Sequence, residues 1–273
     1  MKKKRKPILM SMIIFTLAAA ILLPAVTLFL WIFTERWTWP DLMPQVFSKR
    51  AILEVTGRKG ELLQIFGSSI LISTAVAVLS AVIGIMTARA MILYRFPGKQ
   101  VMYFLTILPF MVPATVFAMG IQITFIKIGL NNRISGVIIA HLVCSLPYAV
   151  RLILDGTLAA GNGLEEQARV LGASPFQAFY KTSLPVLAPV ILSAVTMSYI
   201  VSFSQYFLTL MIGGGKVKTF TIVMVPYLQS GNRNIACIYS AIFLCVTLLV
   251  FWVFERMAWH WTKNGSGEFY TSE

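Results

Sequence analysis

Residues 155–185 read DGTLAAGNGLEEQARVLGASPFQAFYKTSLP. This polar stretch sits between apolar runs long enough to cross a membrane. It gathers Glu165, Glu166, Arg169, Gly172, Lys181 and Pro185 in a chain with 12% charged and 58% hydrophobic residues. A soluble domain carries roughly 25% charged residues. Soluble packing cannot hide so much apolar surface, so the composition points to an all-α polytopic membrane protein. A polar loop of this length between two spans is a place to look for function.

Outward from the loop, apolar runs of about 18 residues or more mark spans. Six occur, at 8–33, 66–93, 101–123, 136–154, 187–212 and 235–255. Lys2, Lys3, Lys4, Arg5 and Lys6 precede the first run. A signal peptide has a shorter apolar core, so the run reads as a retained helix. The basic cluster places the N-terminus in the cytoplasm, and six spans return the C-terminus to that side. The 155–185 loop is then cytoplasmic, and 34–65, 124–135 and 213–234 are outside. The formal net charge of +13 bears on membrane orientation. No basic region is interleaved with aromatics in the manner of a nucleic-acid site.

Between the spans, the stretch SKRAILEVTGRKGELLQIFG (48–67) suits a short interfacial helix. Pro97-Gly98 makes a tight turn. Trp259 and Trp261 suit the headgroup belt. Pro109 and Pro113 are expected to kink the third helix. Ser69, Ser73 and Ser80 look like close-packing positions on the second helix.

Several sequence features exclude function classes. GGGKVKT (213–219) lacks the spacing of a phosphate-binding loop and reads as a flexible outer loop. Cys144, Cys237 and Cys245 have no metal-ligand spacing and read as packing residues. His141 and His260 lie apart, and no catalytic triad, carboxylate pair or metal site is apparent. Catalytic and metal-binding residues are therefore expected to be absent.

Two polar lines run through the spans. On the fifth, Ser198, Ser202, Gln205 and Thr209 share a helical face, flanked by Tyr199 and Tyr206. On the fourth, His141, Ser145 and Tyr148 do the same, with Arg151 one turn on. Ionisable groups inside a membrane are costly and mark pathways; small hydroxyl residues also serve helix packing. The residues alone leave both readings open for Ser198, Ser202, Gln205, Tyr206, Thr209, His141, Ser145 and Tyr148.

Inside the loop, Gly163 is expected to break the chain before a short helix, LEEQARVLGA. Glu165 and Glu166 fall in its first turn, where the dipole favours acids, and Gly172 ends it. Pro175 opens the next segment, which carries Phe176 and Phe179. The segment Glu166-Gln167-Ala168-x-x-x-Gly172, nine residues, then Thr182-Ser183-Leu184-Pro185 resembles the EAA loop of ABC importer permeases. That loop reads E-A-A-x-x-x-G, nine residues, I-x-L-P. Glu166, Ala168, Gly172, Leu184 and Pro185 match, while Gln167 stands for an alanine and Thr182 for an isoleucine. Within the family, SFSQYFLTLMIGGGKVKT (202–219) looks like the spermidine/putrescine-type permeases.

The resemblance implies a five-helix permease core over 62–255, preceded by a tail, one extra helix and an outer segment (1–61) and followed by a cytoplasmic tail (256–273). It implies a bacterial plasma-membrane subunit working by alternating access. Glu165, Glu166, Ala168, Gly172, Ala173, Pro175, Leu184 and Pro185 would form the surface that couples to a cytoplasmic ATPase dimer. ATP would be bound by that partner, leaving this chain without cofactors and without enzymatic activity of its own. A second permease, copy or paralogue, and an external solute-binding protein complete the implied assembly. A channel, an ion-coupled transporter and a membrane scaffold are the alternatives. Polyamines need anionic or strongly polarised partners, and none of the six runs holds a mid-depth carboxylate. A neutral or anionic solute is expected instead.

Overall fold

The computed structural model describes residues 8–267 except 39 and 42, without side chains at 8, 9, 110 and 258–267. The Lys2–Lys6 cluster, and the side chains of Trp259, His260 and Trp261, lie outside the described residues.

Helix α1 (Ile8–Ile32) is apolar on every face, and none of its spanning window is buried. Beyond it the chain makes an unforeseen antiparallel ribbon, β1 (Thr34–Arg36) with β2 (Val46–Phe47), Thr34 opposite Phe47. Helix α2 (Arg50–Gly57) buries Ala51 and Val55, four residues apart on one face. A short helix thus forms in the 48–67 stretch, but the second half of that stretch belongs to the next element. Helix α3 (Lys59–Leu93) starts well before the apolar run at 66, with Glu61 in a first turn whose dipole favours it.

Helices α4 (Lys99–Met111) and α5 (Ala114–Lys127) replace the single third span and are bent by 107° at the break between them. Pro113 has no N–H and pushes Val112 into extended geometry, φ −96° and ψ 126°. The expected kink is therefore a break. Helix α6 (Ile134–Ala160) runs past the predicted end at 154. The polar loop holds α7 (Gly163–Val170), α8 (Pro175–Ala178) and a π-turn, Phe179–Ser183. Helix α9 (Leu184–Phe203) follows without a gap.

The predicted fifth span does not continue to 212. It stops at Phe203, and α10 (Phe207–Gly213) is a separate piece. Nor is GGGKVKT a free loop. Val217 and Thr219 are buried, and the Ser69 hydroxyl accepts the Phe220 N–H at 2.7 Å. Helix α11 (Phe220–Gln229) then forms where only loop was expected, and α12 (Arg233–Gly267) closes the chain. Five helical stretches are long and apolar enough to span a membrane, and the bent pair α4–α5 is the sixth when counted as one span. The fold is that of an all-α polytopic membrane protein.

The chain divides into two compact units. The first comprises residues up to Leu62 with Met224–Cys245. In it Tyr227 stacks on Tyr239 at 5.3 Å, and Trp31 on Trp37 at 5.2 Å. The Arg233 guanidinium lies 5.2 Å from the Trp31 ring. The second unit, Leu63–Val223 with Val246 onward, is built on the packing of α6 against α9. One apolar cluster joins Ile72, Val76, Phe125, Val137, Leu208 and Ile212. Another joins Ala88, Met91, Ala149, Ile153 and Ala194. Ser69, Ser73 and Ser80 are all buried. Lipid supplies no hydrophobic drive between helices, so close approach of small residues holds them together.

Glycines mark the tightest approaches. A Cβ at Gly136 would run into the Leu130 carbonyl, and one at Gly156 would lie 2.8 Å from a Val190 methyl. Gly136→Ala and Gly156→Ala should each destabilise the detergent-solubilised protein by about 1–3 kcal/mol. Gly120→Ala, which meets nothing within 4 Å, should leave the melting temperature unchanged or slightly raised.

Candidate functional site

The polar loop is a compact hairpin of short helices. The chain break lies at Gly161, φ +67°, rather than at the predicted Gly163, which is already helical. Glu165 and Glu166 occupy the first turn of α7, as read from the sequence. Gly172 ends the helix with φ +93°. Its N–H donates to the Arg169 carbonyl at 3.0 Å, and that of Ala173 to the Ala168 carbonyl at 3.0 Å. This pair of bonds is a Schellman motif, which favours glycine at the left-handed position. Ser174 and Gln177 then form a reciprocal capping box ahead of α8, with Pro175 at its first turn. Thr182 lies in the π-turn, Leu184 and Pro185 at the start of α9.

The two acids of α7 point different ways. Glu166 is exposed, together with Gln167 and Arg169. Glu165 turns inward and meets Arg89 near the end of α3. The guanidinium donates to both carboxylate oxygens, at 3.0 and 2.8 Å. The Ser183 hydroxyl, in the π-turn, donates to Glu165 Oε2 at 2.7 Å. The Arg89 guanidinium also lies 4.2 Å from the centre of the Phe179 ring. The Arg89 bond first, then the Ser183 bond, hold the Glu165 carboxyl below its ordinary range, against the opposing effect of its partial burial. Because its pKa is lowered on folding, the pair stabilises the hairpin above the ordinary carboxylate range. That stability is lost only as pH falls through the depressed value.

Sequence reading missed Arg89 and the role of Ser183. The available signal was an arginine at the end of an apolar helix, in a chain with two adjacent acids in the 155–185 loop.

The outer face of the hairpin carries exposed apolar side chains beside Glu166, Gln167 and Arg169. Val170 and Leu171 are 87% and 88% exposed, and Phe176 is exposed and stacked with Tyr180 at 6.1 Å. Ala168 and Ala173 are half-buried beneath this face.

The polar lines of the spans converge differently from the predicted single face. The break at 204–206 separates Gln205 and Tyr206 from Ser198 and Ser202, and Thr209 belongs to α10. His141 is buried, with Nδ1 3.0 Å from Ser202 Oγ and Nε2 2.9 Å from Thr209 Oγ1. Thr209 donates its one proton to the Gln205 carbonyl at 2.9 Å. It must therefore accept from His141, which fixes the Nε2–H tautomer and makes Ser202 the donor to Nδ1. Ser145 and Ser198 are also buried. Their five polar side chains thus point into the subunit, while Tyr148, Gln205 and Tyr206 are only half-buried.

Tyr148 lines an open cavity of about 590 Å³ with Arg151, Ser193, Thr196, Phe254 and Glu255. Arg151 is held by Asp155 at 3.0 Å and donates to the Tyr103 hydroxyl at 2.7 Å. Within the first unit, Arg36, Arg50, Arg233, Glu35, Glu54 and Trp31 are among the residues around a second cavity of about 500 Å³. Among the described residues no group of three potential metal ligands is found.

Residues 80–258 match the family described as binding-protein-dependent transport system inner membrane component. The chain belongs to this family. Among its relatives is the molybdate/tungstate transport system permease protein of Thermococcus kodakarensis, 28% identical over 69% of this chain and 77% of that protein. The sulfate transport system permease protein of Salmonella typhimurium is 25% identical, covering 67% and 71%. The spermidine/putrescine permease of Haemophilus influenzae is 25% identical, covering 60% and 63%. The fold is similar to a chain of the bacterial alginate ABC transporter crystallised with its alginate-bound periplasmic protein. That match has a TM-score of 0.68 and 14% identity, and covers 94% of this chain and 95% of the other. A chain of the inward-facing methionine ABC transporter matches with a TM-score of 0.57 and 19% identity, covering 74% and 98%. The polyamine-type likeness is thus accompanied by oxyanion permeases.

Replacing His141 tests which side of the polar cluster matters. His141→Ala removes two buried hydrogen bonds and leaves a hole, and should cost about 2–4 kcal/mol of stability, read as a lower melting temperature. Lost transport at an unchanged melting temperature would instead assign the imidazole to the solute.

Proposed function

We propose that this chain is the permease subunit of an ATP-binding-cassette importer, with the α7–α8 hairpin as the docking element for a separate cytoplasmic ATPase subunit. The observation that carries this reading is the hairpin's surface. Its polar anchor is turned inward, while Val170, Leu171 and Phe176 project outward and stay exposed. An exposed short helix with apolar projections suits a groove on a partner, and the chain's family is one of binding-protein-dependent transporters.

In this reading both termini and the hairpin face the cytoplasm. A second permease, copy or paralogue, completes the pathway. A binding protein delivers solute from outside, and alternating access is driven by ATP bound and hydrolysed on the partner. The pathway surface is drawn from the candidate residues that keep some exposure, Tyr148, Gln205 and Tyr206, with the buried His141 cluster behind them.

The solute in this reading is small and anionic or neutral. In the described spanning helices, carboxylates occur only toward the ends, as Glu61, Asp155 and Glu255. Asp155 is already paired with Arg151. A cation such as a polyamine finds no anionic partner at mid-depth. Relatives named for molybdate, tungstate and sulfate agree with this choice.

Glu166→Lys should lower uptake roughly tenfold or more, the scale set by loss of a central interface contact, while the membrane core keeps its melting temperature. Unchanged uptake and an intact complex would remove the docking assignment. Single cysteines at 166 and 171 should label only from the cytoplasmic side of intact cells, and outside labelling would overturn the orientation. In uptake assays with the complete transporter, sulfate- or molybdate-like anions or neutral solutes should compete and putrescine should not. Saturable, high-affinity putrescine uptake would refute the substrate class.

A further inference from the structure

We propose that Arg89 is the positioning residue of the hairpin, clamping α7 and the start of α9 to the end of α3 so that the three move as one body. The inference rests on the reading of the hairpin as the ATPase docking element, and goes beyond it by assigning how a push on the hairpin reaches the spans.

Helix α7 buries none of its own residues, so it has no apolar core to hold it against the membrane helices. Its grip comes through Glu165. That carboxylate receives two guanidinium bonds from α3 and one hydroxyl bond from the π-turn that leads into α9. Phe179, also in the π-turn, covers the guanidinium. Side-chain exposure is 20% for Arg89 and 13% for Glu165. The space beside the pair measures about 10 Å³, on the order of one water. Screening is therefore weak, and a bidentate pair in this setting is stiff in distance and orientation. Three elements meet at one ion pair, which suits a joint that transmits force rather than a surface pair that contributes little. Lysine cannot replace arginine here, because it loses the second bond and the planar stacking.

The test uses the complete transporter in proteoliposomes, with its binding protein and ATPase subunits. Arg89→Gln and Arg89→Lys should retain the ATPase subunits in the purified complex and retain basal ATP hydrolysis. Hydrolysis stimulated by the loaded binding protein, and solute uptake, should fall about tenfold. The exchange Arg89→Glu with Glu165→Arg should restore most of the lost uptake per ATP hydrolysed. Wild-type uptake per ATP in both single variants would overturn the proposal. So would loss of the complex in both, or failure of the exchange to rescue, since each makes the pair purely structural. Glu166→Lys run beside them separates the two readings. If it releases the ATPase while the Arg89 variants are silent, the docking surface stands and the clamp falls. If Glu166→Lys is itself silent, the docking reading has failed.

Discussion

In lipid, every backbone N–H and C=O must find a partner within the protein, and this constraint governs where the helices of this chain are allowed to break. The interruption after Phe203 frees the Gln205 carbonyl, which is taken up by the hydroxyls of Thr209 and Thr221, at 2.9 and 2.8 Å. The far end of α10 is closed in the same way. The Gln122 side chain donates to the Met211 carbonyl at 3.0 Å, and the Asn132 N–H to the Ile212 carbonyl at 2.7 Å. Asn132 holds a positive φ of 60° to do so. The polar residues clustered here are therefore the means by which irregular backbone is tolerated at depth. His141 extends the same network from α6. Polarity in these spans serves the backbone first, and any solute-facing role uses the groups left over.

Much of this was legible in the sequence, and the reasons are local. Apolar runs locate spans because hydrocarbon thickness fixes their length. The loop read correctly in its acids and its terminating Gly172, because cap and turn chemistry is written in adjacent residues. What escaped was non-local. Nothing near Arg89 in the chain announces Glu165 as its partner. The break at 204–206 contains no proline or glycine, since the side chains of Thr209 and Thr221 do the work from elsewhere. The triple glycine suggested freedom, but Val217, Thr219 and Phe220 on its far side anchor it in the interior. Gly161 and Gly163 are both plausible breakers, and only the observed backbone distinguishes them.

The hairpin departs from the usual amphipathic arrangement of a surface helix. One acid, Glu165, faces the body of the protein, while large apolar side chains stand exposed beside Glu166 and Arg169. Local geometry is specified twice over, by a Schellman motif at one end and a capping box at the next. A segment so firmly shaped without a core of its own is preorganised, and less ordering entropy remains to be lost when a partner closes on it.

The π-turn at Phe179–Ser183 carries one residue more than an α-helical turn. Each residue advances an α-helix by about 100°, so the tip of the hairpin is set at a different azimuth from the one an uninterrupted helix running into α9 would give. That offset brings Phe179 over Arg89 and Ser183 against Glu165 together. The length of this turn is thus a setting of rotational phase. An insertion or deletion of one residue there would re-aim the exposed face without altering any residue on it, so relatives differing only in that count would present the same surface to a partner in another direction.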